Sequence, residues 1–276
     1  MRPPPSEHVL LFHEMPNFPP LRKYVFSVVD RWIARHGLEP PFLEVGCGTG
    51  ELAVHLARRG WSGTAFDSSE EARGRARRAL VEYPGITLVE EGLSSVPAAA
   101  FRTVFLMDVL EHVADDAGLL RTLAEKLAPG GSLVLLTPVN PGEWGHDDAL
   151  YGHFRRYSWE EIGEKLAAAG FSRVEEWNVT LPFIWALRRL YLRFLPRQGG
   201  EDGRDKLTSA SSFYNPWSQN AFLRAAGKLL GLPLWWAPFF WVQDRFAHST
   251  GGHAAMFLAR RGGSTPPSDG TQKGGN

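Results

Sequence analysis

The most informative stretch of this chain is Phe42-Leu43-Glu44-Val45-Gly46-Cys47-Gly48-Thr49-Gly50. Its apolar first half is typical of the end of a buried parallel strand, and residues 51–57 have the pattern of a helix. Between the two, glycines at alternate positions let a ligand approach the bare backbone. The stretch therefore predicts an α/β fold with a ligand site at a strand-to-helix turn.

The spacing of the glycines indicates which ligand binds there. A dinucleotide fingerprint has glycine at its first, third and sixth positions, but the sixth position here is Glu51. Its carboxylate would stand where a pyrophosphate binds, which argues against NAD. Glu44, two residues before Gly46, suits a cationic ligand. The stretch resembles motif I of the class I S-adenosylmethionine (SAM) methyltransferases, in which an acidic residue precedes Gly-x-Gly-x-Gly.

This resemblance implies SAM as the cosubstrate and a Rossmann-like, seven-stranded class I methyltransferase sheet. Asp67 ends a short second strand, 64–66, and lies 19 positions after Gly48. A parallel strand and helix of these lengths bring the ends of strands one and two together, so that Asp67 can accept both ribose hydroxyls of a nucleoside. Ser68 and Glu71 form a capping box for the next helix, which leaves Asp67 for the ligand.

Strands three and four supply further candidate contacts. The resemblance implies that the adenine is held after strand three (86–89), although this chain has Gly92-Leu93 where the family usually has Gly-Asp. Asp108, at the end of strand four, is a candidate contact for the methionyl end of SAM, with Glu111 capping the next turn. The predicted cofactor-binding residues are Glu44, Gly46, Cys47, Gly48, Gly50, Asp67, Ser68, Glu91, Gly92, Leu93, Asp108 and Val109.

The order of the later motifs narrows the family but not the substrate. The sequence Asp-x-x-Glu-His at 108–112 is followed by Leu-x-Pro-Gly-Gly at 127–131 and an apolar fifth strand, 132–138. This arrangement is similar to that of a broad methyltransferase group, which includes ubiquinone-biosynthesis O-methyltransferases and many natural-product enzymes. The leading hypothesis is methyl transfer to a small or lipid-like hydrophobic acceptor, with oxygen as the favoured acceptor atom.

Methyl transfer to a hydroxyl or amine needs alignment and a base. His112, at the edge of the expected crevice, is the first candidate for this base, and His153, in the polar segment 140–157, is the second. Asp108, Glu111 and His112 could instead bind a divalent cation, as in the ubiquinone-type enzymes. We favour the contact of Asp108 with SAM and predict no metal.

The fold class places strands six (171–179) and seven (253–260) side by side, yet more than seventy residues separate them. The chain is therefore divided into an N-terminal arm and helix (1–37), a SAM-binding core (38–180), an aromatic-rich insertion (181–252), the last core strand (253–261) and a tail of low-complexity sequence predicted to be disordered (262–276).

The insertion has two apolar segments. In 182–196, helical spacing puts Ile184, Leu187, Tyr191 and Phe194 on one face and Arg188, Arg189 and Arg193 off it. Residues 232–242 concentrate aromatic side chains around two prolines. We predict a lid over the acceptor pocket, with peripheral contact to an anionic membrane surface. The alternative is that these residues only cover strands six and seven.

Composition excludes several other classes. The formal net charge of the 276 residues is zero, which argues against nucleic-acid binding. One cysteine excludes an internal disulfide framework, and the N-terminal residues lack the apolar core of a signal peptide. We expect a cytoplasmic protein, peripheral at the membrane at most, without an obligate protein partner. Two alternative functions remain: a nicotinamide-dependent oxidoreductase, and a non-catalytic SAM-binding protein whose insertion is a partner interface.

Asp67→Ala is expected to weaken SAM binding by about 1.5–3 kcal/mol, because it removes a charged acceptor of hydrogen bonds. Isothermal calorimetry on the folded variant measures this change. Unchanged affinity would mean that Asp67 is only a residue at the start of a helix.

Overall fold

The computed structural model describes residues 19–194 and 233–262. Its centre is a seven-stranded sheet with the strand order β3-β2-β1-β4-β5-β7-β6. The first five strands are parallel, and β7 is antiparallel to both neighbours. The strands are β1 (Phe42–Val45), β2 (Gly63–Phe66), β3 (Ile86–Val89), β4 (Phe101–Met107), β5 (Leu127–Pro138), β6 (Phe171–Asn178) and β7 (Ala254–Arg261).

Helices cover both faces of the sheet, because parallel strands of this kind are apolar on both sides. The described α-helices are α1 (Pro19–His36), α2 (Glu51–Ala57), α3 (Glu70–Leu80), α4 (Asp116–Lys126), α5 (His146–Leu150), α6 (Trp159–Ala168), α7 (Phe183–Phe194) and α8 (Pro233–Asp244). One core packs α1, α2 and α3 against the sheet around Trp32 and Leu56. The other packs α4 and α6 against the opposite face around Leu120 and Leu166.

The predicted seven-stranded sheet is confirmed. As expected, β6 and β7 are neighbours although they are far apart in sequence. Ser158 is the N-cap of α6, and its Oγ accepts a hydrogen bond from Glu161 N at 3.0 Å. The fifth strand starts at Leu127 instead of residue 132, directly after α4, and a register shift against β4 absorbs the added residues.

The predicted capping box of Ser68 and Glu71 is wrong by one residue. Helix α3 begins at Glu70, and Ser69 is its N-cap, with Oγ accepting from Ala72 N at 3.3 Å. The reason is a local turn in which Asp67 Oδ1 accepts the backbone N–H of Ser69 at 2.8 Å. This bond fixes the chain before the helix and moves the first helical residue along by one.

Two helices of the predicted insertion are described. Helix α7 contacts α8 through the rings of Phe183 and Phe239, whose centroids are 5.0 Å apart. Helix α8 is held on α1 by a hydrogen bond of 2.7 Å from Tyr24 Oη to Asp244 Oδ1. The middle of the insertion, 195–232, lies outside the described residues, as do most of the predicted arm (1–18) and of the tail (263–276).

One prediction about α7 is wrong. Arg188 was expected beside a lipid-facing apolar surface, but its side chain is only 10% exposed and lies among carboxylates of the segment after β5. On the predicted apolar face, Ile184 is buried but Leu187 is exposed, and the neighbouring Leu190 is exposed as well. Among the helices that the structure describes, none has the length and apolar character needed to cross a bilayer.

Candidate active site

The glycine turn after β1 is shaped by left-handed backbone conformations. Gly46, Gly48 and Gly50 have φ values of 76°, 54° and 81°, which glycine adopts without strain. Gly46 N donates to Phe66 O at 2.8 Å, which joins the ends of β1 and β2. A Cβ atom at Gly46 would lie 2.2 Å from Cγ2 of Val109. The turn therefore packs tightly against the segment after β4.

Asp67 lies beside this turn, at the carboxyl end of β2, as the sequence predicts. It is not free of protein partners, however. Its Oδ2 accepts from Gly48 N at 2.8 Å and its Oδ1 accepts from Ser69 N at 2.8 Å. A carboxylate offers about four acceptor positions, so each oxygen can accept one more hydrogen bond. The contact with Gly48 also fixes the direction of the carboxylate.

Glu44 is the buried acidic residue of β1, with 4% of its surface exposed. Burial raises its pKa to about 8, although the charge of Arg22 and a hydrogen bond from the backbone of Ala53 oppose this shift. Its Oε2 has no hydrogen-bond partner within the described part of the chain. At neutral pH the carboxyl group is therefore mainly protonated and has an unused polar atom.

Arg22 on α1 is a site residue that sequence reasoning missed. Its Nη1 lies 2.6 Å from Glu51 Oε2, and both side chains are largely buried. It brings a positive charge to the turn that carries Glu44 and Glu51. No local pattern marks this arginine, because only the packing of α1 on the sheet places it there.

The remaining predicted cofactor residues follow the ends of their strands. Cys47 is buried in the core, so its backbone but not its thiol can face a ligand. Ser68 and Glu91 are exposed, and Leu93 packs partly against the second core. Asp108 is exposed at the end of β4 with a φ of 54°. Gly92 has a φ of 113°, and Val109 is half-buried against Gly46.

Both candidate bases belong to one cluster. Ligand atoms of Glu111, His112 and His153 all lie within 4.8 Å of one another. The rings of His112 and His153 meet edge to face, with centroids 4.7 Å apart. A backbone hydrogen bond of 2.8 Å from Phe154 N to Glu111 O fixes the segment after β5 against the one after β4.

The members of the cluster differ in their electrostatics. Burial raises the pKa of Glu111 well above its usual range, and the charge of Asp108 acts in the same direction. Burial lowers the pKa of His112 to about 4. Glu111 Oε1 and His112 Nδ1 are buried and have no partner among residues 19–194 and 233–262. Burial therefore disfavours the charged form of both groups, and each keeps a polar atom without a partner among these residues.

His153 is oriented by Asp148, a residue that the sequence did not single out. The distance from His153 Nδ1 to Asp148 Oδ1 is 2.8 Å. Burial acts to raise the pKa of Asp148, but hydrogen bonds from His153 and Arg156 outweigh it and lower the pKa to about 2. An ionised carboxylate at Nδ1 keeps the proton on that nitrogen and leaves Nε2 as the acceptor. This geometry favours His153 over His112 as a base.

The cluster also fits a divalent cation, which the ubiquinone-type resemblance implies. The donors that lie together are Glu111, His112 and His153, and not Asp108, Glu111 and His112 as the motif indicates. Two imidazoles and a carboxylate are suitable ligands for a transition metal, and the two unpartnered atoms of Glu111 and His112 could serve it. A bound cation would lower the pKa of an acceptor hydroxyl.

Comparison with known proteins identifies the family. A model described as "Methyltransferase domain" matches residues 20–176, which is more than half of the chain. The chain belongs to this family, within the class I SAM-dependent methyltransferases. The match confirms the class and the cosubstrate expected from the glycine turn, and the alternative of a nicotinamide-dependent oxidoreductase is wrong.

Two relatives with the same name show sequence similarity to this chain. A ubiquinone biosynthesis O-methyltransferase of Caulobacter sp. (strain K31) is 39% identical over 99 residues, which cover 34% of this chain and 39% of the relative. One of Methylocella silvestris is 41% identical over 172 residues, which cover 54% and 65%. In several other relatives of the same name, the matched part is about two fifths of their length.

Solved structures agree on the fold. One is the 1,6-didemethyltoxoflavin-N1-methyltransferase of Burkholderia thailandensis with bound 1,6-didemethyltoxoflavin and S-adenosylhomocysteine. It matches with a TM-score of 0.53 and 16% identity, over 89% of this chain and 80% of the other. Identity this low supports the shared fold alone.

Glu44→Gln is expected to change the pH dependence of stability. The raised pKa means that the folded state binds the Glu44 proton more tightly than the unfolded state between about pH 4.5 and 8. In this window the contribution of Glu44 to the free energy of unfolding falls as pH rises, by at most about 1.4 kcal/mol per pH unit. Urea unfolding without SAM at pH 5 to 8 should therefore favour the variant increasingly at higher pH. The exposed Glu91→Gln is the control, and parallel curves for wild type and Glu44→Gln would contradict the assignment.

Proposed function

We propose that this chain transfers the methyl group of SAM to a hydroxyl oxygen of a hydrophobic or lipid-like small molecule. The observation that carries the proposal is the pair Asp148 and His153. The buried carboxylate of Asp148 contacts Nδ1 of the imidazole at 2.8 Å, so Nε2 is the nitrogen that could accept a proton from an acceptor. An imidazole whose orientation is fixed in this way is a suitable base for a hydroxyl acceptor.

The charges around the glycine turn suit the zwitterionic end of SAM. The carboxylate of the cosubstrate can replace Glu51 as the partner of Arg22, which lies 2.6 Å from Glu51 in this structure. The ammonium group can pair with Glu44, whose Oε2 has no partner in the described ranges. Asp67 would accept the ribose hydroxyls. These assignments extend the predicted cofactor set by one residue, Arg22.

The reaction is a direct displacement at the methyl carbon. The acceptor oxygen forms a bond to that carbon as the carbon–sulfur bond breaks, and the electron pair of the broken bond goes to sulfur. The hydroxyl proton passes to Nε2 of His153, and the products are a methyl ether and S-adenosylhomocysteine. Since sulfur is a good leaving group, the enzyme mainly aligns the two reactants and accepts the proton.

Oxygen is the favoured acceptor atom for a second reason. The two relatives described above are both named as O-methyltransferases of ubiquinone biosynthesis. Because this chain matches only part of their length, their substrate is not carried over. What the likeness supports is oxygen as the acceptor atom.

A panel of acceptors tests the proposal. Catechols and phenols with alkyl chains of graded length, together with the matching amines and carboxylic acids, are incubated with methyl-labelled SAM. We expect label in the hydroxyl compounds, and His153→Asn should lower turnover by about 10²–10⁴-fold. The matched variant His112→Asn should lower it less, and neither should change the affinity for SAM in calorimetry. Greater transfer to amines or acids would contradict O-methylation, and binding of SAM without any transfer would favour the non-catalytic alternative.

The second candidate is the same reaction assisted by a divalent cation. It is favoured by the unpartnered Oε1 of Glu111 and Nδ1 of His112 within the described residues. In that case Glu111, His112 and His153 are ligands, and His112→Asn should be as harmful as His153→Asn. Activity that is lost with EDTA and restored by Mg²⁺, Mn²⁺ or Zn²⁺ would support the cation and displace the role of His153 as the sole base.

We also propose that helices α7 and α8 form a lid that selects a long apolar acceptor. Large apolar side chains remain exposed on both helices, among them Leu190 at 55% and Trp241 at 61%. Leu190→Ser combined with Phe239→Ser should raise KM for long-chain acceptors more than for short ones, with unchanged SAM affinity.

Peripheral membrane contact stays a prediction, which flotation with anionic liposomes would check. If the double variant Leu190→Ser with Phe239→Ser loses only thermal stability, α7 and α8 pack on the sheet without selecting the acceptor.

A further inference from the structure

Arg188 connects the insertion to the segment that carries His153. It lies on α7, yet its guanidinium points toward the residues after β5, about forty positions earlier in the chain. Nε and Nη2 donate to both carboxylate oxygens of Asp147, at 2.8 and 2.7 Å. Nη1 donates to the backbone oxygen of Glu143 at 3.1 Å. A paired fork of this kind fixes direction as well as distance.

The same guanidinium reaches Asp148. Its Nη2 lies 3.2 Å from Asp148 Oδ2, the oxygen that also accepts from Gly145 N at 2.7 Å and from Arg156 Nε at 2.9 Å. The other oxygen, Oδ1, is shared by His153 Nδ1 and Arg156 Nη2, both at 2.8 Å. Asp148 is completely buried, so its position determines where the imidazole of His153 can lie.

Charge balance explains why Arg188 matters to this arrangement. Three carboxylates, those of Glu143, Asp147 and Asp148, lie around it, and all three have side chains no more than 15% exposed. Arg189 also pairs with Glu143, at 2.7 Å, but its own side chain is 55% exposed. Without Arg188, the buried carboxylate of Asp147 would lose its bidentate partner beside Asp148. Buried unpaired charge is strongly unfavourable, so helix α5 and its neighbours would have to move.

We propose that Arg188 is a positioning residue for methyl transfer. By holding Asp147 and Asp148 from the insertion, it fixes His153 with Nε2 toward the acceptor. The site is therefore complete only when α7 is docked on the segment 143–153. This inference rests on the proposed role of His153 and adds to it a dependence on the insertion.

The experiment uses the full chain and compares Arg188→Gln, Arg188→Lys and the matched control Arg189→Gln. The first readout is the imidazole Nδ1–H signal of His153 in ¹⁵N-histidine spectra, identified by its absence in His153→Asn. The second is amide hydrogen exchange of 143–154 measured by mass spectrometry. The third is SAM affinity in calorimetry, since Arg188 is not expected to touch SAM.

Arg188→Gln should lose or shift the Nδ1–H signal and speed exchange in 143–154 by at least about tenfold, while SAM affinity stays within about twofold of wild type. Arg188→Lys keeps the charge without the fork and should restore the signal in part. Arg189→Gln should resemble wild type. With an acceptor in hand, turnover of Arg188→Gln should fall with a smaller change in the KM of SAM.

The proposal is overturned if Arg188→Gln keeps the His153 signal and the exchange rates of Arg189→Gln. If Arg188→Gln does not fold, Arg188→Lys decides the question. Its His153 Nδ1–H signal must then be weaker than in wild type but present, and its amide exchange in 143–154 must be faster than in wild type but slower than in an unfolded segment. Failure of wild type to bind SAM would refute the proposed function instead, because the signal and exchange measurements need neither SAM nor acceptor.

Discussion

The close approach of the Gly46 backbone to Val109 is the constraint on which the rest of the site depends. Strands β1 and β4 are adjacent and parallel, with Val45 opposite Leu106, so the turns after them leave the sheet side by side. A Cβ atom at Gly46 would come within 2.2 Å of the Val109 side chain. Because glycine lacks this atom, the glycine turn after β1 can lie directly beside the segment after β4. Asp67 and the cluster of Glu111, His112 and His153 are therefore at the same edge of the sheet.

Several ionisable groups at this edge are held in environments that oppose their charge. Glu44 and Glu111 are buried, have raised pKa values and each keep an oxygen without a partner in the described structure. Such groups lower stability, and they are concentrated where binding or proton transfer needs them. A cationic cosubstrate or a metal ion would supply the partners that the protein alone does not provide.

The site is assembled from parts of the chain that have no local relation to one another. Helix α1 brings Arg22 to Glu51, the segment after β5 brings Asp148 and His153, and α7 brings Arg188. Asp148 and His153 are thus held by a buried network of opposite charges, to which α7 contributes Arg188. Through this network, α7 would influence the role that we propose for His153.

Local pattern was enough to predict the sheet, the glycine turn and the position of Asp67, because hydrophobic periodicity and glycine spacing follow directly from backbone geometry. It was also enough to find both histidines. It ranked His112 ahead of His153, whereas the contact of His153 with Asp148, which depends on packing between distant segments, favours the reverse order. The sequence pattern predicted an exposed Arg188, because a charged residue off the apolar face of a helix is normally in solvent. In the structure, three buried carboxylates pair with Arg188 and keep its side chain largely buried. Periodicity records which residues are apolar, but the partners of a buried charge depend on contacts between distant segments.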